Sequence, residues 1–145
     1  MLFAALAVWR PSARSQPDAS LLVIVHMGVP DARLDGDELR SIFLRKRTLW
    51  SNGQRIVPLN QPAGNAVRVA FDNRTLGFDG KQAARFWIDA RIRAGTEAPM
   101  SIASEALLVR VVKQLPGSIG YVRASVALAG VRVVARVERS GVSAP

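Results

Sequence analysis

The chain predicts a layered α/β domain with a mixed, mostly parallel sheet and helices on both faces. Three observations carry this. Leu21 to His26 is a continuous apolar run of strand length, the pattern of a strand covered on both faces. Short β-branched runs recur at residues 55–59, 118–122 and 131–137. The segments between them repeat apolar residues at helical spacing rather than alternating, and strands interleaved with helices imply a layered sheet.

Each element has its own local reason. Asp35 with Glu38 three residues on has the form of a capping box, and Leu39, Ile42 and Phe43 then share one helical face. Ser51, Asn52 and Gly53 make a turn into the strand at 55–59. A second helix opens near Asn65, buries Val67, Ala70 and Phe71, and stops near Gly77. The third has Asp79 as N-cap, Gln82 at its third position and Phe78 as a hydrophobic staple, with Ala83, Phe86, Trp87 and Ala90 on the inner face. A fourth runs from Ser101 or Ser104 to Leu115, aligning Leu108, Val111, Val112 and Leu115, and Pro116 with Gly117 ends it. A short turn or helical segment stopping at Gly130 separates the last two strands. Phe43 and Trp87 are expected in the core. No internal repeat or heptad run is visible, and residues 10–20 and 138–145 read as flexible.

At 145 residues the chain suits one domain with a real core. The absence of Cys excludes a disulfide framework, a lipid-modified N-terminal Cys and zinc-thiolate chemistry. The apolar run at residues 2–9 is too short to span a bilayer. It reads either as the h-region of a secretory signal whose true start lies upstream or as an ordinary apolar N-terminal segment; the expectation is export. The organisation expected is a signal segment and linker at 1–19, a domain at 20–138 and a tail at 139–145.

The formal charge of +9 attracts anions in general. It does not specify nucleic-acid recognition, because the basic residues are scattered, the only Tyr is Tyr121 and the Trp residues are far apart. One tight cluster stands out, Arg45, Lys46 and Arg47, with Arg55 near it. His26, the only His, lies at a strand end and reads as a hydrogen-bonded surface residue rather than a ligand or base. Asp35, Asp37 and Glu38 sit in a helix's first turn, where carboxylates favour the dipole, so they read as capping rather than metal-binding. Trp50 and Trp87 read as core or surface aromatics. No nucleophile elbow, Walker loop or zinc-protease motif occurs, and Ser118 has no identifiable base, so no enzyme, metal or cofactor is expected.

The stretch from Arg55 to Phe71 carries the most chemistry. A β-branched run ends in a Pro/Asn/Gly loop and a helix opens after Gly64, so the unpaired N–H groups of that helix start form a potential anion cradle beyond the strand's carboxyl end. The bland alternative is a capped helix start with an outward Arg68.

Several spaced blocks then carry a resemblance. Leu34, Asp37, Glu38, Leu39, Ile42, Phe43, Lys46, Trp50, Gly53, Ile56 and Val57, followed far downstream by Pro116, Gly117, Ser118, Ile119, Gly120 and Tyr121, resemble the phosphate-binding proteins of ABC phosphate transporters. That resemblance implies one lobe of a periplasmic-binding-protein type-II fold, without the part corresponding to the family's N-terminal lobe. It also implies an anion loop of Arg-x-x-Gly-Ser-Gly-Thr type. Aligned on Pro62, Gly64 and Phe71, the family's Arg falls on Gln61, its Ser on Asn65, its Gly on Ala66 and its Thr on Val67, with Arg68 just after. Gln61, Gly64, Asn65, Ala66, Val67 and Arg68 are therefore the candidate ligand-binding residues. The implied function is weak binding of phosphate or another small oxyanion, in the periplasm, for uptake or sensing. The alternatives are an interaction or sensor module that contacts a membrane protein with ligand binding lost, or a general polyanion binder.

Overall fold

The structure, a computed structural model, describes residues 19–145. The expected signal segment lies almost wholly outside the described residues. The elements run in the order β1 (Leu21–His26), α1 (Gly36–Phe43), β2 (Val57–Asn60), α2 (Ala66–Phe71), a π-helical turn (Asp72–Leu76) and α3 (Gly80–Ala94). Then come β3 (Met100–Ser101), α4 (Glu105–Gln114), β4 (Ser118–Arg123), β5 (Val131–Glu138) and β6 (Gly141–Ser143).

All six strands join one sheet in the order β3-β2-β4-β1-β5-β6. Every strand expected from the sequence is in it. β1 lies inside, antiparallel to β4 on one side (Val23↔Tyr121) and to β5 on the other (Val23↔Ala135). β2 pairs in parallel with β4 and β3, and β6 returns antiparallel along β5. The sheet is mixed, as expected, but the expectation of mostly parallel pairing is corrected: parallel ladders are confined to the β2 side. An apolar strand buried on both faces reads alike in either direction, so its sequence carries no sign of orientation.

Two apolar layers follow from the period-2 alternation of β1. Leu21, Val23 and Val25 face a cluster with Leu39, Ile42 and Phe43 of α1 and Val67 and Phe71 of α2. Ile24 faces the opposite cluster, with Leu108, Val109 and Val112 of α4. Gly120 permits the close approach of α4 to β4, since a Cβ there would meet Leu108 Cδ2 at 2.6 Å. Phe43, Phe71 and Tyr121 form an aromatic triad in the first layer, Phe71 stacked on Tyr121 at 3.8 Å between centroids and Phe43 edge-on to Phe71 at 4.7 Å. Trp50 is buried and its indole N–H donates to the Gly117 carbonyl at 3.0 Å.

The caps read from the sequence are present. Asp35 and Glu38 form a full capping box, as do Asp79 and Gln82, while Asn65 and Ser104 cap α2 and α4. Four further points differ from the sequence reading. Residues 139–145, read as a tail, contribute β6, because Gly141 lets the chain turn back onto the edge of β5. Leu115, expected on the inner face of α4, lies past the last helical turn and is 37% exposed. β3 is an unanticipated strand of two residues.

Trp87 is the fourth. It is half-buried, and Ala83 is the only buried residue of α3. α3 docks through its first turns, where Phe86 packs on Phe78 at 5.4 Å and Trp87 stands edge-on to Phe86. Beyond that, Ile88 and Ile92 are 61% and 78% exposed.

Truncation should expose this contrast. Phe43→Ala leaves a cavity against two aromatic rings and is expected to cost about 3–5 kcal/mol in urea denaturation, with Trp87→Ala costing clearly less. Equal shifts in the two variants would contradict the placement of α3.

Candidate functional site

The candidate site grows from the carboxyl end of β2, where the apolar strand gives way to polar side chains that are nonetheless buried. Asn60 is 4% exposed and Gln61 1%. Buried polar groups must find partners, and here Tyr121 supplies them. Its hydroxyl donates to Asn60 Oδ1, and the Gln61 side-chain amide donates to the Tyr121 carbonyl at 2.9 Å. The Gln61 backbone N–H donates to Asn60 Oδ1 at 3.0 Å. Burial pushes the Tyr121 phenol far above its usual pKa, against the opposing hydrogen bond from Gln61, so it stays neutral and can donate.

The loop then turns at Ala63 and Gly64. Gly64 has φ +83, a left-handed conformation that glycine adopts freely. Asn65 follows as N-cap, and its Oδ1 accepts the Val67 N–H at 2.8 Å and the Arg68 N–H at 3.4 Å. These are the groups that a bound anion would use at a helix start. Val67 points into the core and offers only its backbone, while Ala66 is exposed.

Arg68 is not outward. Its Nη1 donates to the Gln61 carbonyl at 3.0 Å and its Nε to Asp72 Oδ2 at 3.3 Å, an i,i+4 pair with side chains 13% and 8% exposed. Nη2 is left without a protein acceptor among the described residues. Burial pushes the Asp72 carboxyl above its ordinary range, and the Arg68 charge and hydrogen bond only partly pull it back. A cavity of about 80 Å³ lies beside this pair, walled by Gly64, Val69, Phe78 and Ala83.

The structure thus brings Gln61, Asn65 and Arg68 together around one loop, with Gln61 turned inward. Asp72, Asn60 and Tyr121 complete the site and were not singled out for it from the sequence. The four-residue spacing of Arg68 and Asp72 was the signal for one of them.

Other candidates resolve locally. His26 Nδ1 accepts the Gly28 N–H at 3.0 Å, a hydrogen-bonded position at the strand end. Asp35 and Glu38 serve the capping box of α1. Among the described residues no group of three or more His, Asp or Glu side chains is placed to hold a metal ion. No helix among them is long and apolar enough to cross a membrane.

A mixed sheet with helices on both faces and a strand-loop-helix at the carboxyl end of β2 define a layered α/β lobe. Solved structures share that fold. An ABC-type phosphate transport receptor from Vibrio cholerae superposes with a TM-score of 0.64 at 15% identity, over 80% of this chain and 46% of its own. A substrate-binding protein assigned to a phosphate ABC transporter of Clostridium perfringens, solved with bound phosphate, gives 0.64 at 20% identity, over 80% and 45%. PstS from Borrelia burgdorferi gives 0.63 at 16%, over 81% and 47%. The matched part is thus less than half the length of each of these proteins. No protein-family model and no curated protein matches the sequence.

The Asp72 environment has a pH signature. Its folded pKa lies above the ordinary 3.8, so its contribution favours folding fully below that value and is lost as pH rises through the folded pKa. Asp72→Asn removes this loss. The stability of Asp72→Asn relative to the natural chain should rise between about pH 4 and pH 7, read from urea midpoints; a difference that falls over that window would contradict the assignment.

Proposed function

We propose that this chain is an extracytoplasmic solute-binding-type lobe that binds phosphate or another small oxyanion weakly at the loop Gln61–Arg68, for uptake or sensing. The observation that supports it is the position of Arg68, whose Nη2 has no protein acceptor among the described residues, at a helix start beyond the carboxyl end of β2, in a fold shared with phosphate receptors. The chain acts by binding and not by catalysis, and delivers to or signals through a membrane transporter or sensor protein.

Affinity is low for two reasons. The Asn65 carboxamide already occupies the Val67 and Arg68 N–H groups, and Asp72 balances the Arg68 charge. An arriving anion must displace the first and compete with the second. The lobe described here also meets the ion on one side only, and wherever water reaches the other side, screening weakens each contact.

A second reading, an interaction module with ligand binding lost, is supported by the outward face of α3, where Ile88 and Ile92 stand in water. General polyanion binding would show as salt-sensitive heparin retention without any response to small anions.

Phosphate titration followed by backbone amide shifts distinguishes these. Shifts centred on Gly64–Arg68 are expected, with affinity falling at least about tenfold in Arg68→Ala, since a hydrogen bond to a charged group contributes about 1.5–3 kcal/mol. Asp72→Asn, which frees Arg68 from its counter-ion, should tighten binding. No response at residues 61–72 would favour the interaction module.

A further inference from the structure

The cluster of basic residues at 45–47 and Arg55 is not used by the loop site. It lies at the other end of β2, where the turn after α1 meets a small hairpin closed by the bridge between Leu49 and Arg55. There Arg45, Arg47, Thr48 and Arg55 wall a cavity of about 210 Å³ over an apolar floor of Ile56 and Pro58.

The three guanidinium groups are not equivalent. Arg47 is committed to Asp31 at 2.7 Å, with Glu38 at 3.9 Å. Burial pushes the Asp31 carboxyl up, but the hydrogen bonds from Arg47 and Ser51 and the Arg47 charge outweigh it, so the partner stays ionised. Arg45 and Arg55 have no carboxylate or hydrogen-bond acceptor among the described residues. The wall therefore carries two uncompensated positive charges. Arg45 also sits at φ +63, the only non-glycine residue with positive φ among those described. Glycine takes that conformation freely just after a helix, and a side chain there is held at a cost.

We infer that this cavity is a second anion site, built for a phosphoryl group. Two free guanidinium forks and the Thr48 hydroxyl match the charge and acceptor pattern of a phosphate dianion. The apolar floor gives the carbon portion of a phosphate monoester a place to rest. The phosphoryl group is either free phosphate or the terminal group of such a monoester. This inference does not rest on the loop at Gln61–Arg68.

The test is titration of the full isotope-labelled chain with inorganic phosphate and, separately, with glycerol 3-phosphate. Salt is held at about 150 mM so that loosely attracted anions are screened. Amide shifts at residues 45–56 are expected, weakened at least about tenfold by Arg45→Gly and by Arg55→Ala and left in place by Arg68→Ala. Arg45→Gly suits the backbone at that position, so a melting temperature equal to or above that of the natural chain would show that the loss is of binding and not of fold. A response to either probe supports the site, and the tighter one identifies the source. No shifts at residues 45–56 with either probe, or shifts that survive both Arg45→Gly and Arg55→Ala, would overturn it.

Discussion

The burial of Tyr121 constrains the rest of this molecule. A phenol placed at the centre of a sheet contributes a large apolar ring but needs a partner for its hydroxyl. The ring stacks on Phe71 of α2, the hydroxyl is met by Asn60 at the end of β2, and the carbonyl is met by the Gln61 side chain. One residue of β4 thereby fixes where β2 stops, which way Gln61 points and how α2 lies on the sheet. The loop is an extension of the core rather than an independent appendage.

That coupling explains the chemistry of the loop. A helix start is electrostatically ready for an anion, yet here its needs are met from within: Asn65 closes the N–H groups, and Asp72 answers Arg68. Any ligand at this place gains only what it adds beyond those contacts. The cavity at Arg45 and Arg55 is the reverse case, with two cations that pair with no carboxylate among the described residues. The net charge of +9 is thus unevenly expressed, quenched at one end of β2 and open at the other.

Much of the fold was legible because its signals are local. Asp35 with Glu38 and Asp79 with Gln82 announce helix starts through short-range hydrogen bonds, and the apolar run of β1 reports burial on both faces. What the sequence withheld depends on distant partners. β3 and β6 are too short to show a period, and strand direction is set by pairing rather than composition. Trp87 shares an apolar face with Ala83, but periodicity cannot say whether anything covers that face. At residues 61–68 the turn and the Asn65-capped helix start were legible, while the orientation of Arg68 was not. Its pairing with Asp72 depends on the burial of both side chains, which no spacing rule states.

The inside position of β1 also bears on how the chain reaches its folded state. Leu21 pairs with Arg123 on one side and Val137 on the other. β1, the first strand among the described residues, is therefore completed only by strands far along the chain. Contacts of such sequence separation are slow to form, because chain entropy is lost before they reward it. During synthesis β1 must wait, apolar and unpaired, until β4 and β5 emerge. An apolar strand kept waiting in this way is open to whatever binds extended apolar segments, a chaperone included.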